Sequence, residues 1–143
     1  HRIDIVADSG LWILGCEKEL RSAFSNLVFN AVRYTPAGGR IEIRWFAGAD
    51  GIHLAVKDDG EGIAPHHIPR LTERFYRVNR DRSRGSGGTG LGLSIVKHVL
   101  NNHGGQLRVE SELGVGSLFT CDFPVELRME PANAPARNAM GLR

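Results

Sequence analysis

Five of the eight residues from Gly85 to Gly92 are glycine, and the run leads without a break into a stretch of helical spacing that ends near Asn102. Glycine tolerates positive φ and lets backbone N–H groups come close to an anion, while the first turn of a helix aims its own N–H groups and dipole the same way. The pattern predicts a phosphate-binding loop, and it also restricts the fold. Gly85, Gly87 and Gly90 satisfy G-x-G-x-x-G, but that fingerprint needs a strand before it, and Arg80-Asp81-Arg82-Ser83-Arg84 is no strand. No Lys-Ser or Lys-Thr follows the glycines, so a P-loop is excluded as well.

The remaining chain supplies a mixed set of elements. Alternation predicts strands near Ile3 to Ala7, Leu11 to Leu14, Ile41 to Phe46, Ile52 to Asp58, Gln106 to Ser111 and Ser117 to Phe123. Helical spacing runs from about Glu17 to Tyr34, where Leu20, Phe24, Leu27 and Ala31 form one stripe, and from about Leu91 to Asn102. A third, short helical piece is expected around His66 to Phe75. Strands and helices mix without strict alternation, which predicts an α+β fold in two layers: a mixed, mostly antiparallel sheet of about five strands with three helices on one face. From Glu126 onward Pro131, Pro135 and a lack of periodicity predict a disordered tail, leaving residues 1–125 as one domain.

Composition narrows the function classes. A net charge of +2 is too mild to argue for nucleic acid. Basic charge is concentrated only at Arg74, Arg77, Arg80, Arg82 and Arg84, beside the glycine run. Cys16 and Cys121 lack the short spacings of metal or redox chemistry, and there is no apolar run long enough to span a bilayer. The opening His1-Arg2-Ile3-Asp4-Ile5 enters directly on a strand pattern, as expected of a domain excised from a larger cytosolic part.

Two further features call for chemistry. Asn26 and Asn30 lie four apart and border the apolar stripe of the first helix, with Arg33 and Tyr34 near the same side. Asparagine is a poor helix former, so the pair either hydrogen-bonds a neighbouring loop or acts as ligands; an amide oxygen suits a Mg²⁺ that keeps waters and phosphate partners. On the strand from Ile52, Asp58 falls in line with the core-facing Ile52, Leu54 and Val56. It either ends the strand in a plain Asp-Asp-Gly turn or accepts a hydrogen bond from an exocyclic amine, with Gly60 and Gly62 leaving room for a ligand against the backbone.

Asn-x-x-x-Asn, Asp-x-Gly-x-Gly, Arg74-Phe75-Tyr76-Arg77 and Gly88-Thr89-Gly90-Leu91-Gly92-Leu93 occur in this order. Over roughly Asp8 to Pro124 the chain resembles the catalytic and ATP-binding domain of bacterial sensor histidine kinases, part of a superfamily that includes gyrase, the ninety-kilodalton heat-shock chaperones and mismatch-repair ATPases. Leu20-Arg21-Ser22-Ala23, the segment Ile68 to Val78 and Arg82-Ser83-Arg84 are similar to the phosphate-regulon branch.

The resemblance implies ATP and Mg²⁺ as cofactors on a Bergerat-type fold. Asn30 would ligate Mg²⁺; Asn26 and Arg77 would serve transfer at the phosphates, with Arg33, an Arg where the family usually has Lys, approaching them from the same helix. Tyr34, Asp58, Gly60, Gly62 and Ile63 would hold the adenine, and Gly88, Thr89, Gly90, Leu91 and Gly92 the phosphates. Residues from about Val78 to Thr89 would form an ATP lid. The phosphoacceptor would be a histidine followed by an acidic residue on a separate dimerisation domain of the same parent, since none of His1, His53, His66, His67, His98 or His103 precedes an acidic residue. A cognate response regulator would be the next partner, in phosphate-starvation signalling, with this domain on the cytoplasmic side of an inner-membrane-anchored parent and without membrane or nucleic-acid contacts of its own. The alternative is an ATP-hydrolysing or nucleotide-gated interaction module of the same superfamily. Its hydrolysing members place a general-base Glu one turn before the metal-binding Asn, and here that position is Asn26, whose amide cannot take a proton from water.

Overall fold

The computed structural model describes residues 1–78 and 91–129. In chain order these form β1 (Arg2–Ala7), β2 (Trp12–Ile13), α1 (Glu17–Tyr34), β3 (Arg40–Gly48), β4 (Gly51–Asp58), a 3-10 helix (Pro65–Arg70), α2 (Gly92–Asn102), β5 (Gln106–Glu112), β6 (Gly116–Pro124), a 3-10 turn (Val125–Leu127) and β7 (Arg128–Met129). The main sheet has the order β1-β3-β4-β6-β5, in which β1 runs parallel to β3 and every other pair is antiparallel.

Alternation decides which face of the sheet is covered. Ile41, Ile43 and Trp45 stand opposite Asp58, Val56 and Leu54, which in turn meet Ser117, Phe119 and Cys121 on β6. These positions share one face, and the apolar ones join α1 and α2 in a single core. From α1 come Leu20, Ala23, Phe24, Leu27 and Ala31, which include the whole stripe expected from sequence, and from α2 Val96, Val99 and Leu100. Phe24, Trp45 and Phe123 tie the layers together, with ring centroids 6.1 to 6.5 Å apart and tilted or edge-on contacts. Such pairs add about 0.5–1.5 kcal/mol each beyond area burial. The Trp45 indole also donates to the Leu11 carbonyl at 3.0 Å, satisfying its buried N–H.

The opposite face is polar. There Asp122 accepts from His53 at 2.7 Å and from Arg108 at 2.5 and 3.0 Å. Burial alone would raise the Asp122 pKa, but the Arg108 and His53 hydrogen bonds outweigh it and hold the carboxyl below its ordinary value.

α1 begins without a side-chain cap. Instead the Cys16 N–H donates to Nε2 of His103 at 3.0 Å, while Nδ1 of His103 donates to the Val99 carbonyl at 2.8 Å. One neutral imidazole thus fastens the start of α1 to the end of α2.

Two expectations are corrected. The helical piece forecast for His66 to Phe75 is a 3-10 helix ending at Arg70 and followed by turns, because Pro69 lacks the N–H that a longer helix would need. The boundary forecast at Glu126 does not hold through Met129, since Val125–Leu127 forms a 3-10 turn and Arg128 and Met129 pair antiparallel with Ile13 and Trp12. Residues 130–143 lie outside the described part.

Candidate functional site

A cavity opens where α1, the end of β4, the segment before residue 79 and the start of α2 converge. Volume does not single it out: a groove of about 650 Å³ at the sheet end is larger than this cavity of about 180 Å³, but it is walled by exposed charged residues such as Glu42, Lys57 and Glu110. Chemistry favours the smaller one, which is concave, partly apolar and furnished with a few converging polar groups.

Its α1 wall carries Asn26, Phe29, Asn30, Arg33 and Tyr34. The helix period brings the two asparagines to one side. Nδ2 of Asn26 donates to the Ser22 carbonyl at 2.8 Å, and Oδ1 faces α2, 3.0 Å from where a β-carbon on Gly92 would stand. Gly92 and Leu93 line the cavity from the first turn of α2. The first N–H groups of a helix have no intrahelical partner, so this end of the cavity is suited to an anion.

The other end is built around Asp58, which is 7% exposed. Its Oδ1 accepts the Gly60 N–H at 2.9 Å, and the Ser117 backbone N–H also bonds the carboxylate. Desolvation is the largest influence and, with the nearby Asp59 charge, lifts the pKa above its ordinary 3.8 against the two backbone hydrogen bonds. Glu61, Gly62, Ile63, Ser117 and Phe119 complete this half.

The glycines of this loop also meet a packing constraint. A β-carbon on Gly60 would stand 2.4 Å from the Tyr34 carbonyl oxygen, and one on Gly62 2.2 Å from that of Glu112. They fit the loop between protein backbones, and Gly62 also needs its φ of +76°. Gly60 is not among the residues that line the cavity.

The third side is Leu71, Tyr76, Arg77 and Val78. Tyr76 is anchored by a hydroxyl–imidazole hydrogen bond to His67 and by the Arg70 guanidinium 4.4 Å over its ring. Burial, then the charges of His66 and Arg70, lower the His67 pKa. Phe75 between these residues has a φ of 68°, rare for a bulky side chain and a local strain just before Arg77.

Asn26, Asn30, Arg33, Tyr34, Asp58, Gly62, Ile63, Arg77 and Gly92 are therefore brought together. Leu91 is the N-cap residue of α2 and does not line the cavity. Gly88, Thr89 and Gly90, and the expected lid beyond Val78, lie outside the described residues. Sequence reading missed Phe29, Glu61, Leu71, Tyr76, Leu93, Ser117 and Phe119 as wall residues. Alternation on β6 carried a signal for Ser117 and Phe119, but only the β4–β6 register puts Ser117 opposite Asp58.

Comparison with known proteins agrees with this geometry. A family model for histidine kinase-, DNA gyrase B- and HSP90-like ATPases matches residues 15–127. The chain is 55% identical over 136 residues to the phosphate regulon sensor protein PhoR of Pseudomonas aeruginosa, covering 94% of this chain and 31% of PhoR. It spans about a third of the length of the curated relatives it matches first. Among solved structures, a mycobacterial sensor histidine kinase, MprB, superposes with a TM-score of 0.76 at 31% identity, over 86% of this chain and 82% of that one. Full-length ShkA in complex with AMPPNP gives 0.75 at 33% identity, over 91% of this chain and 27% of ShkA. With the fold, the cavity and a model spanning most of its length in agreement, the chain belongs to the histidine kinase-, DNA gyrase B- and HSP90-like ATPase family.

Proposed function

We propose that this chain is the ATP-binding catalytic domain of a sensor histidine kinase, which passes the γ-phosphoryl group of ATP to a histidine on a separate dimerisation domain for relay to a response-regulator aspartate. The supporting observation is that one cavity joins a buried carboxylate at Asp58 to an amide face, Asn26 and Asn30, beside the first turn of α2. The Asp58 end suits the adenine amine, and the helix end suits phosphate. Asn30 offers one neutral oxygen, appropriate for a Mg²⁺ whose other positions are filled by phosphate and water. When bound, that metal would neutralise phosphate charge; Arg33 and Arg77 would add to this from the cavity walls.

Asn26 favours transfer over hydrolysis. Its amide is held by Ser22 and cannot accept a proton from an attacking water. Similarity to PhoR supports a role in phosphate-starvation signalling, and the AMPPNP in the ShkA structure supports an adenine nucleotide here. No helix among the described residues is long and apolar enough to cross a membrane, and we place the domain on the cytoplasmic side of a membrane-anchored parent. The test is to mix the chain with a separately made dimerisation and phosphoacceptor domain and γ-labelled ATP. Alkali-stable, acid-labile label on that second domain is expected; release of free phosphate with no labelled protein would favour the hydrolytic alternative.

A further inference from the structure

Ser111 lies at the end of β5 on the covered side of the sheet, behind the Asp58 end of the cavity, and is not one of its wall residues. Its hydroxyl makes three contacts. It accepts the Ile63 N–H at 2.8 Å, donates to the Gly116 carbonyl at 3.0 Å, and lies 2.8 Å from the Ser117 hydroxyl. A serine oxygen has one proton and two lone pairs. With the proton on Gly116, both lone pairs are used, one by Ile63 and one by the Ser117 O–H. Ser111 then has nothing left to offer a ligand.

What it holds are two walls of the base pocket that are remote in sequence. Ile63 and Ser117 both line the cavity, the first from the loop after β4 and the second from β6, directly across from Asp58. A second tie runs parallel to it, from the Gly114 N–H to the Glu61 carbonyl at 2.9 Å. That tie is backbone only, and Ser111 supplies a side-chain link between the β5–β6 hairpin and the loop that follows Asp58.

We infer that Ser111 is a positioning residue for the purine-binding end of the cavity, setting nucleotide affinity through Ile63 and Ser117 without touching the nucleotide. The inference rests on the reading of the Asp58 end as a base pocket. It leaves the phosphate end, formed by α1 and α2, outside the reach of Ser111.

The experiment measures ADP affinity for the wild-type chain, Ser111→Ala and Ser111→Thr at low temperature, with folding of each checked by near-ultraviolet circular dichroism. It also measures KM for ATP and kcat in the transfer assay. Removing the hydroxyl leaves the Ile63 N–H unpaired, and the expected result is about a three- to ten-fold rise in both the ADP Kd and the ATP KM, with kcat unchanged. Ser111→Thr keeps the hydroxyl and is expected to stay within about two-fold of wild type. An unchanged ADP Kd in folded Ser111→Ala, a fall in kcat with KM held, or a threonine variant no better than alanine would overturn the inference. If the wild-type chain itself fails to bind ADP, the base-pocket reading is what has failed, and the inference falls with it.

Discussion

Asp58 and Ser117 are direct partners across the β4–β6 ladder, and the backbone N–H of Ser117 joins that of Gly60 at the Asp58 carboxylate. Burial nevertheless dominates, so the native carboxyl takes up a proton more readily than an exposed one. Base binding that uses the ionised form is therefore expected to decline on acidification with a midpoint above 3.8, the ordinary value for this group. A titration of ADP affinity against pH checks this. Asp58→Asn is expected to flatten that profile and to cost about 1–3 kcal/mol of adenine-nucleotide binding at neutral pH. Because the raised pKa makes ionised Asp58 a cost to the fold relative to its protonated form, this cost is expected to ease as pH falls through the raised folded value, an effect that Asp58→Asn lacks.

Asn30→Ala separates metal from base. The side chain lines the same cavity as Asn26, twenty-eight residues before Asp58 in sequence, and the proposed function gives it the metal rather than the base. Its removal is expected to abolish Mg²⁺-dependent phosphoryl transfer while ADP binding in the absence of Mg²⁺ stays close to wild type. Transfer at the wild-type rate would remove Asn30 from the metal site.

The glycines differ in what a β-carbon would meet. At Gly62 it would press on the Glu112 carbonyl at a positive φ, and neither backbone can yield cheaply. Gly62→Ala is expected to lower stability by roughly 2–3 kcal/mol. At Gly92 the neighbour is the Asn26 side chain at 3.0 Å, in a helix that alanine favours. Gly92→Ala is expected to remain within about 1 kcal/mol of wild type. Thermal melts of the two variants check the contrast.

On the open face, Asp122 contributes stability with a definite sign in pH. Its folded pKa is depressed below 3.8, so the native state binds its proton less readily than the unfolded chain. The contribution is present above 3.8 and is lost as pH falls through the depressed folded value. Arg108 is half exposed, which discounts that ion pair. Asp122→Asn is expected to lower stability at pH 7 by about 1–2 kcal/mol, and to reduce its fall on acidification, as read by urea melts from pH 6 to pH 2.

Much of this molecule was legible locally. Leu20, Phe24, Leu27 and Ala31 announced the buried side of α1, and the alternation of Ile52, Leu54 and Val56 carried Asp58 to the covered face of β4. What stayed hidden depends on partners distant in sequence. Ser117 becomes a wall of the site only through its register with Asp58, and the reason for Gly60 is a carbonyl at Tyr34, twenty-six residues earlier. Arg128 and Met129 read as tail because a two-residue strand has too little periodicity to be seen without Trp12 and Ile13 beside it. Pro69 is visible in the sequence, and its missing N–H goes with the short 3-10 form of the third helical piece.

The proposed function puts adenine at Asp58 and a metal-borne triphosphate at Asn30 in one cavity. Calorimetric titration of the wild-type chain, Asp58→Asn and Asn30→Ala with a non-hydrolysable ATP analogue tests it most directly, with and without Mg²⁺. Binding by wild type, a large loss in Asp58→Asn with or without metal, and loss of the Mg²⁺ enhancement alone in Asn30→Ala is the predicted pattern. Failure of the folded wild-type chain to bind, or equal affinity in all three proteins, would contradict it.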